Sequence, residues 1–112
     1  MNIINSIGAG FCLLLGIVGF ISPNSTAKFV GILPDGKRGI SEIRATYGGV
    51  FAGLGGCALY LQDTNVFTTL GIAWAGAAIA RVISIIIDKS YDRLNFGGVF
   101  FESLVAIFLL WR

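Results

Sequence analysis

Two opposite charges set inside apolar runs are the residues of this sequence best placed to do chemistry. Arg81 stands in the run 66–87 and Glu102 in the run 94–111. If those runs cross a bilayer, each charge alone costs about 2.5–3.5 kcal/mol at depth, so each requires a partner. Counted from residue 87, Arg81 sits roughly 9 Å into the membrane; counted from residue 94, Glu102 sits roughly 12 Å in. On consecutive antiparallel helices the two lie at nearly one level, and a long arginine side chain spans the difference. An Arg81–Glu102 ion pair or hydrogen-bonded contact facing the bundle interior is therefore expected. Tyr47 reaches a similar depth, and Arg44, Glu42, Ser84 and Asp88 lie nearer the same surface. Together they can form one polar cluster, or a pocket lined above by Trp74 and Phe51. Such a cluster has three readings. It can be a satisfied network that fixes helix register. It can be a site for a small polar molecule or a lipid headgroup, with Arg81 as anion anchor and Tyr47 as hydrogen-bond partner. Or Glu102 can carry protons in coupled transport.

The elements that position these residues follow from composition. Of 112 residues, 55% are hydrophobic and 12% charged, against about 25% charged in soluble domains. A soluble fold this small exposes much of its surface, and so few charges would not cover it. Lipid around the outer faces resolves the mismatch. The net charge of +2 has no dense basic face of the kind nucleic-acid binding needs. The chain has no histidine, which argues against haem ligation, most zinc sites and imidazole acid–base chemistry. No catalytic residue, metal site or cofactor is expected. Cys12 and Cys57 both lie in apolar runs and read as small buried hydrophobes.

The expected fold is all-α: an integral membrane four-helix bundle, antiparallel and up-down, in one domain over residues 1–112. The helices are expected at about 3–21, 41–61, 66–87 and 94–111. The first is closed by Ser22-Pro23; it has no Lys or Arg ahead of it and reads as a retained span rather than a signal peptide. Residues 23–40 read as the longest loop, with an interfacial apolar piece at 27–33 and a turn at Pro34-Asp35-Gly36. Ser41 is the expected N-cap of the second helix and Asn65 that of the third. In the second helix Ala45, Gly49, Ala52 and Gly56 form a small-residue stripe with Gly53 beside it. Gly49 and Gly53 fit the close-approach motif of membrane helices. Packing within one monomer and homodimerisation are both open to it. The loops at 23–40 and 88–93 carry Lys28, Lys37, Arg38, Lys89 and Arg93, against Arg112 on the other side. The positive-inside rule then places both long loops in the cytoplasm and both termini on the non-cytoplasmic side.

The runs SEIRATYGGVFAGLGG (41–56) and WAGAAIARVISIIID (74–88), followed by Glu102, resemble the domain-of-unknown-function family 4345, loosely DoxX/DoxD-like. The strongest elements are Glu42, Arg44, Tyr47, Gly48, Gly49 and Arg81. The resemblance covers nearly the whole chain. It implies a small four-helix membrane protein of the bacterial inner membrane and brings no established activity. Small multidrug transporters are similar in length only, because their essential glutamate lies in the first helix, which here has no charge. The expected role is a non-enzymatic accessory or lipid-interacting protein. Its partners are membrane lipids and a larger membrane complex or a second copy. The alternative is a small-molecule or lipid binder, or a transporter, using the Arg81 and Glu102 cluster.

Overall fold

The computed structural model describes residues 2–112, which are helical almost throughout, with no strand among them. The helices are α1 (Ile3–Ile21), α2 (Pro23–Val30), α3 (Gly36–Ile43), α4 (Phe51–Leu61), α5 (Thr64–Asp88) and α6 (Arg93–Leu110), with a π-helical segment, Arg44–Val50, joining α3 to α4. Three of them, α1, α5 and α6, are long and apolar enough to cross a membrane. The chain divides into two compact units. One is Ala9–Tyr60; the other joins the residues up to Gly8 with Leu61–Arg112.

Local chemistry accounts for the boundaries. Asn2 caps α1, its Oδ1 accepting from the Asn5 amide at 3.1 Å. Asp63 and Asp92 cap α5 and α6, accepting from the amides of Asn65 and Leu94, both at 2.7 Å. Asn65 is thus the capped residue and not the cap, because the Asp63 carboxylate two positions earlier already reaches its N–H.

Residues 23–40 are not the loop expected of them. Pro23 falls in the first turn of α2, where its missing N–H costs nothing. Gly31 closes that helix at φ 77°, and Ile32 N–H reaches back to Ala27 O at 2.9 Å, a Schellman closure. After the break at Pro34-Asp35, the chain is helical without interruption from residue 36 to residue 61. Ser41 therefore caps nothing. Its hydroxyl donates to Lys37 O at 3.2 Å, one turn back, which keeps a serine inside a helix.

In the unit Ala9–Tyr60, the second half of α1 packs on the π segment and α4 backbone to backbone. A Cβ on Gly16 would come within 2.7 Å of Ala52 Cα and Gly48 O. One on Gly19 would strike the Tyr47 carbonyl, and one on Gly55 would lie 2.7 Å from Ala9 O. Gly48 sits against Phe20, with a Cβ there 3.0 Å from Phe20 N. The face in contact is therefore Gly48, Ala52 and Gly55. It shares only Ala52 with the stripe expected to pack: Gly53 has open space where its Cβ would be, and Gly49 and Gly56 would meet their nearest neighbours only at 3.9 Å. The paired glycines at 48-49 and 55-56 draw two stripes of equal period one residue apart, and only the partner helix decides between them. Cys12 is buried, its thiol donating to Phe51 O at 3.4 Å, whereas Cys57 is exposed and so departs from the buried reading.

In the other unit α5 and α6 form an antiparallel hairpin. Gly71 lets Leu110 approach, since a Cβ there would lie 2.7 Å from Leu110 Cγ. Trp74 meets Phe101 edge to face with ring centroids 6.1 Å apart. Phe67, Val105 and Leu109 are fully buried. The first turn of α1 joins this unit through Asn5, which is buried. Its Nδ2 donates to the carbonyls of Phe108, Leu109 and Trp111 at 2.7, 3.0 and 3.2 Å. Those are among the C-terminal carbonyls of α6 that have no partner within their own helix.

Candidate functional site

The most developed polar site lies within the α5–α6 hairpin. Arg81 Nε donates to Glu102 Oε1 at 2.8 Å and Nη2 donates to Oε2 at 3.0 Å, a two-pronged ion pair. Paired in this way the bonds are charge-assisted and fixed in direction as well as distance. The third guanidinium nitrogen, Nη1, donates to Asn95 Oδ1 at 3.1 Å. Asn95 in turn donates from Nδ2 to both the carbonyl and the hydroxyl of Ser90, each at 3.2 Å. A continuous hydrogen-bonded chain thus runs from Glu102 to the turn between the two helices. Glu102 is 9% exposed; the Arg81 side chain retains 35%.

The sequence builds this site by spacing. Asn95, Gly98 and Glu102 stand at i, i+3 and i+7, so they line one face of α6. The middle position must be empty: a Cβ on Gly98 would lie 2.8 Å from Arg81 Nε and 2.9 Å from its Cζ. Glycine there gives the guanidinium a flat seat across α6, between its two acceptors. Gly97, one residue earlier, has nothing within 4 Å of a Cβ.

Of the remaining residues singled out from sequence, Trp74 is buried beside Phe101 in the same unit. Ser84 and Asp88 are exposed and stand outside the chain of hydrogen bonds. Glu42, Arg44 and Tyr47 belong to the unit Ala9–Tyr60. There Glu42 is exposed. Arg44 Nε donates to Phe20 O at 3.2 Å, and its guanidinium lies 5.9 Å from the Phe20 ring centroid. Tyr47 meets Phe51 edge to face at 5.9 Å. Arg44 and Tyr47 both sit in the π segment, the kind of widened turn that often accompanies function.

Three residues of the polar framework escape a reading based on charge alone. Asn95 is legible only through its spacing from Glu102. Gly98 is legible only once Arg81 is known to cross α6. Asn5 is a lone amide near the start of an apolar helix, a signal in itself, since a buried amide must find partners.

Chemically the site is a charge-neutral unit whose guanidinium fork is taken by Glu102, with the Arg81 side chain still partly exposed. Two open grooves flank the hairpin, and neither includes Arg81 or Glu102. Among the described residues, no three of His, Cys, Asp and Glu gather as metal ligands. Compared with known families, residues 1–112 match the model described as Domain of unknown function (DUF4345). No curated protein and no solved structure matches the chain.

Proposed function

This chain belongs to the DUF4345 family over its whole length, and on that premise we propose that it is a non-enzymatic multi-pass membrane protein, an accessory or lipid-interacting subunit. In this reading the chain crosses the membrane four times, up and down, through α1, the helical run 36–61, α5 and α6. Both termini face the non-cytoplasmic side, and the connecting segments and helix starts bearing Lys28, Lys37, Arg38, Lys89 and Arg93 face the cytoplasm of a bacterial inner membrane. Arg81 and Glu102 then form an intramembrane pair that locks the register of α5 against α6.

The observation that carries this reading is that the Arg81 fork is taken by a carboxylate of its own chain. Arg81 gives three N–H groups to Glu102 and Asn95 and lines neither open groove. That supports a register lock over a ligand anchor. The apolar outer faces support the membrane setting: Ile79, Ile83, Ile86 and Ile87 on α5 and Phe100 and Ile107 on α6 are all exposed, and lipid is the solvent in which such faces are stable.

Topology is tested by labelling with a membrane-impermeant maleimide in a Cys12→Ala, Cys57→Ala background. Asp63→Cys should react in intact cells and Lys89→Cys only after permeabilisation; reaction of both from one side would contradict the four-span arrangement. The accessory role is tested by extraction from native membranes in mild detergent. Recovery with a larger membrane partner is expected, and recovery solely as a free monomer would contradict it.

A further inference from the structure

Beside the ion pair, on one flank of the α5–α6 hairpin, lies an open groove of about 570 Å³. Its floor is made of small side chains, Ala75, Ala78, Ser103 and Ala106, and its walls of Ile79 and Ile107. A second hollow of about 250 Å³ shares Ala78, Ile79 and Ser103 with it and extends it along the same flank toward Val82 and Val99. At the other end of the first groove stand Trp111 and Arg112. From Ser103 to Leu110 the groove follows α6 for about 10 Å at ~1.5 Å per residue. With Trp111 and Arg112 beyond the helix end, its length approaches the ~15 Å depth of one leaflet in a ~30 Å hydrocarbon core.

The end residues decide what such a groove would hold. The Arg112 guanidinium is held in place, donating to Leu109 O, Trp111 O and Thr68 Oγ1. An oriented arginine beside an exposed indole is the pairing that suits the headgroup level of a membrane, and the Nε edge of its guanidinium, which none of these bonds uses, can give a charge-assisted bond to a phosphate. A small-residue floor between branched walls suits a chain of methylenes. From these features we infer that the groove is a binding site for an anionic phospholipid, with its phosphate at Arg112 and one acyl chain lying over Ala106, Ser103 and Ala78. The inference rests on the membrane reading above and adds a specific lipid class and seat to it.

The test uses the intact chain reconstituted in phosphatidylcholine vesicles. Spin-labelled phosphatidylglycerol and spin-labelled phosphatidylcholine are compared by the fraction that the protein immobilises. A preference for phosphatidylglycerol of about five-fold is expected, the factor that one cation contributes beside an anionic lipid. Arg112→Gln should bring the ratio near one, while Arg112→Lys keeps most of it. Ala106→Phe, checked for unchanged helicity, should lower the immobilised fraction of both lipids. Equal immobilisation of the two lipids by the inserted wild-type protein would overturn the inference and leave the membrane reading intact. So would disulfide-linked dimers of Ser103→Cys in the cysteine-free background, which would mean that a second copy fills the groove. Release of the protein from membranes by alkaline carbonate would instead overturn the membrane reading, and this inference with it.

Discussion

The two units hold their helices together by opposite means. In Ala9–Tyr60 the backbones touch: Gly16 and Gly19 of α1 meet Ala52 and Tyr47, and Gly55 of α4 meets Ala9 and Leu13. In the α5–α6 hairpin the side chains do the joining, through the two-pronged Arg81–Glu102 pair, the Asn95 bridge and the Trp74–Phe101 contact. Lipid supplies no hydrophobic force between helices, so close packing and interhelical hydrogen bonds are the two means left for association. One unit leans chiefly on the first and the other chiefly on the second. Added carbon on the contact face should therefore be the larger injury to the first, and loss of a charge the larger injury to the second.

The largest expected effect breaks the polar side of this contrast. Glu102→Leu leaves the Arg81 guanidinium without its carboxylate and should destabilise the folded protein by about 3–5 kcal/mol, as read by unfolding in mixed detergent micelles. A shift under about 1 kcal/mol would mean the charge finds water without cost. Next is the packing side. Gly55→Leu drives side-chain atoms into the α1 backbone, which has no rotamer to yield, and should cost about 3 kcal/mol, the upper end of the usual overpacking range. Gly53→Leu, on the open face of the same helix, should cost nothing and gain up to about 0.8 kcal/mol from helix propensity. Equal losses at the two positions would refute the assignment of the contact face. Asn5→Ala takes from Phe108 O its side-chain donor and from Leu109 O and Trp111 O one of two, the other being Arg112, and should cost about 1–3 kcal/mol, with faster hydrogen exchange confined to the ends of α1 and α6. The smallest pair is the sharpest. Gly97→Ala should stabilise the helix by about 0.5–1 kcal/mol through propensity alone. Gly98→Ala should destabilise it despite the same gain, because its methyl displaces Arg81. Like signs for the two would remove the seat from the account.

Much of this contrast is legible in the sequence, for identifiable reasons. Charges in apolar runs are rare and expensive, so Arg81 and Glu102 stand out, and the rise of a helix places them at one level. The span of α1 is equally plain, because its composition is uniform and Ser22-Pro23 closes it. The contact face of α4 is not legible, since Gly48 and Gly49 offer two stripes of the same period and nothing local breaks the tie. The helices at 23–40 are hidden by turn-forming residues that here act as boundaries: Pro23 opens α2 and Gly31 ends it. The helix through Ser41 is hidden because a serine that caps and a serine that bonds back to a carbonyl look alike in sequence.

Whether Arg81 and Glu102 act as one structural unit joining α5 to α6 is decided by a double-mutant cycle on unfolding free energy in detergent. The variants are Arg81→Leu, Glu102→Gln and the two combined. Each single change strands a partner, and the combined change strands none. A joined pair requires the double variant to lose less than the sum of the singles, with a coupling of about 1–3 kcal/mol. Losses that add to within about 0.5 kcal/mol would contradict it.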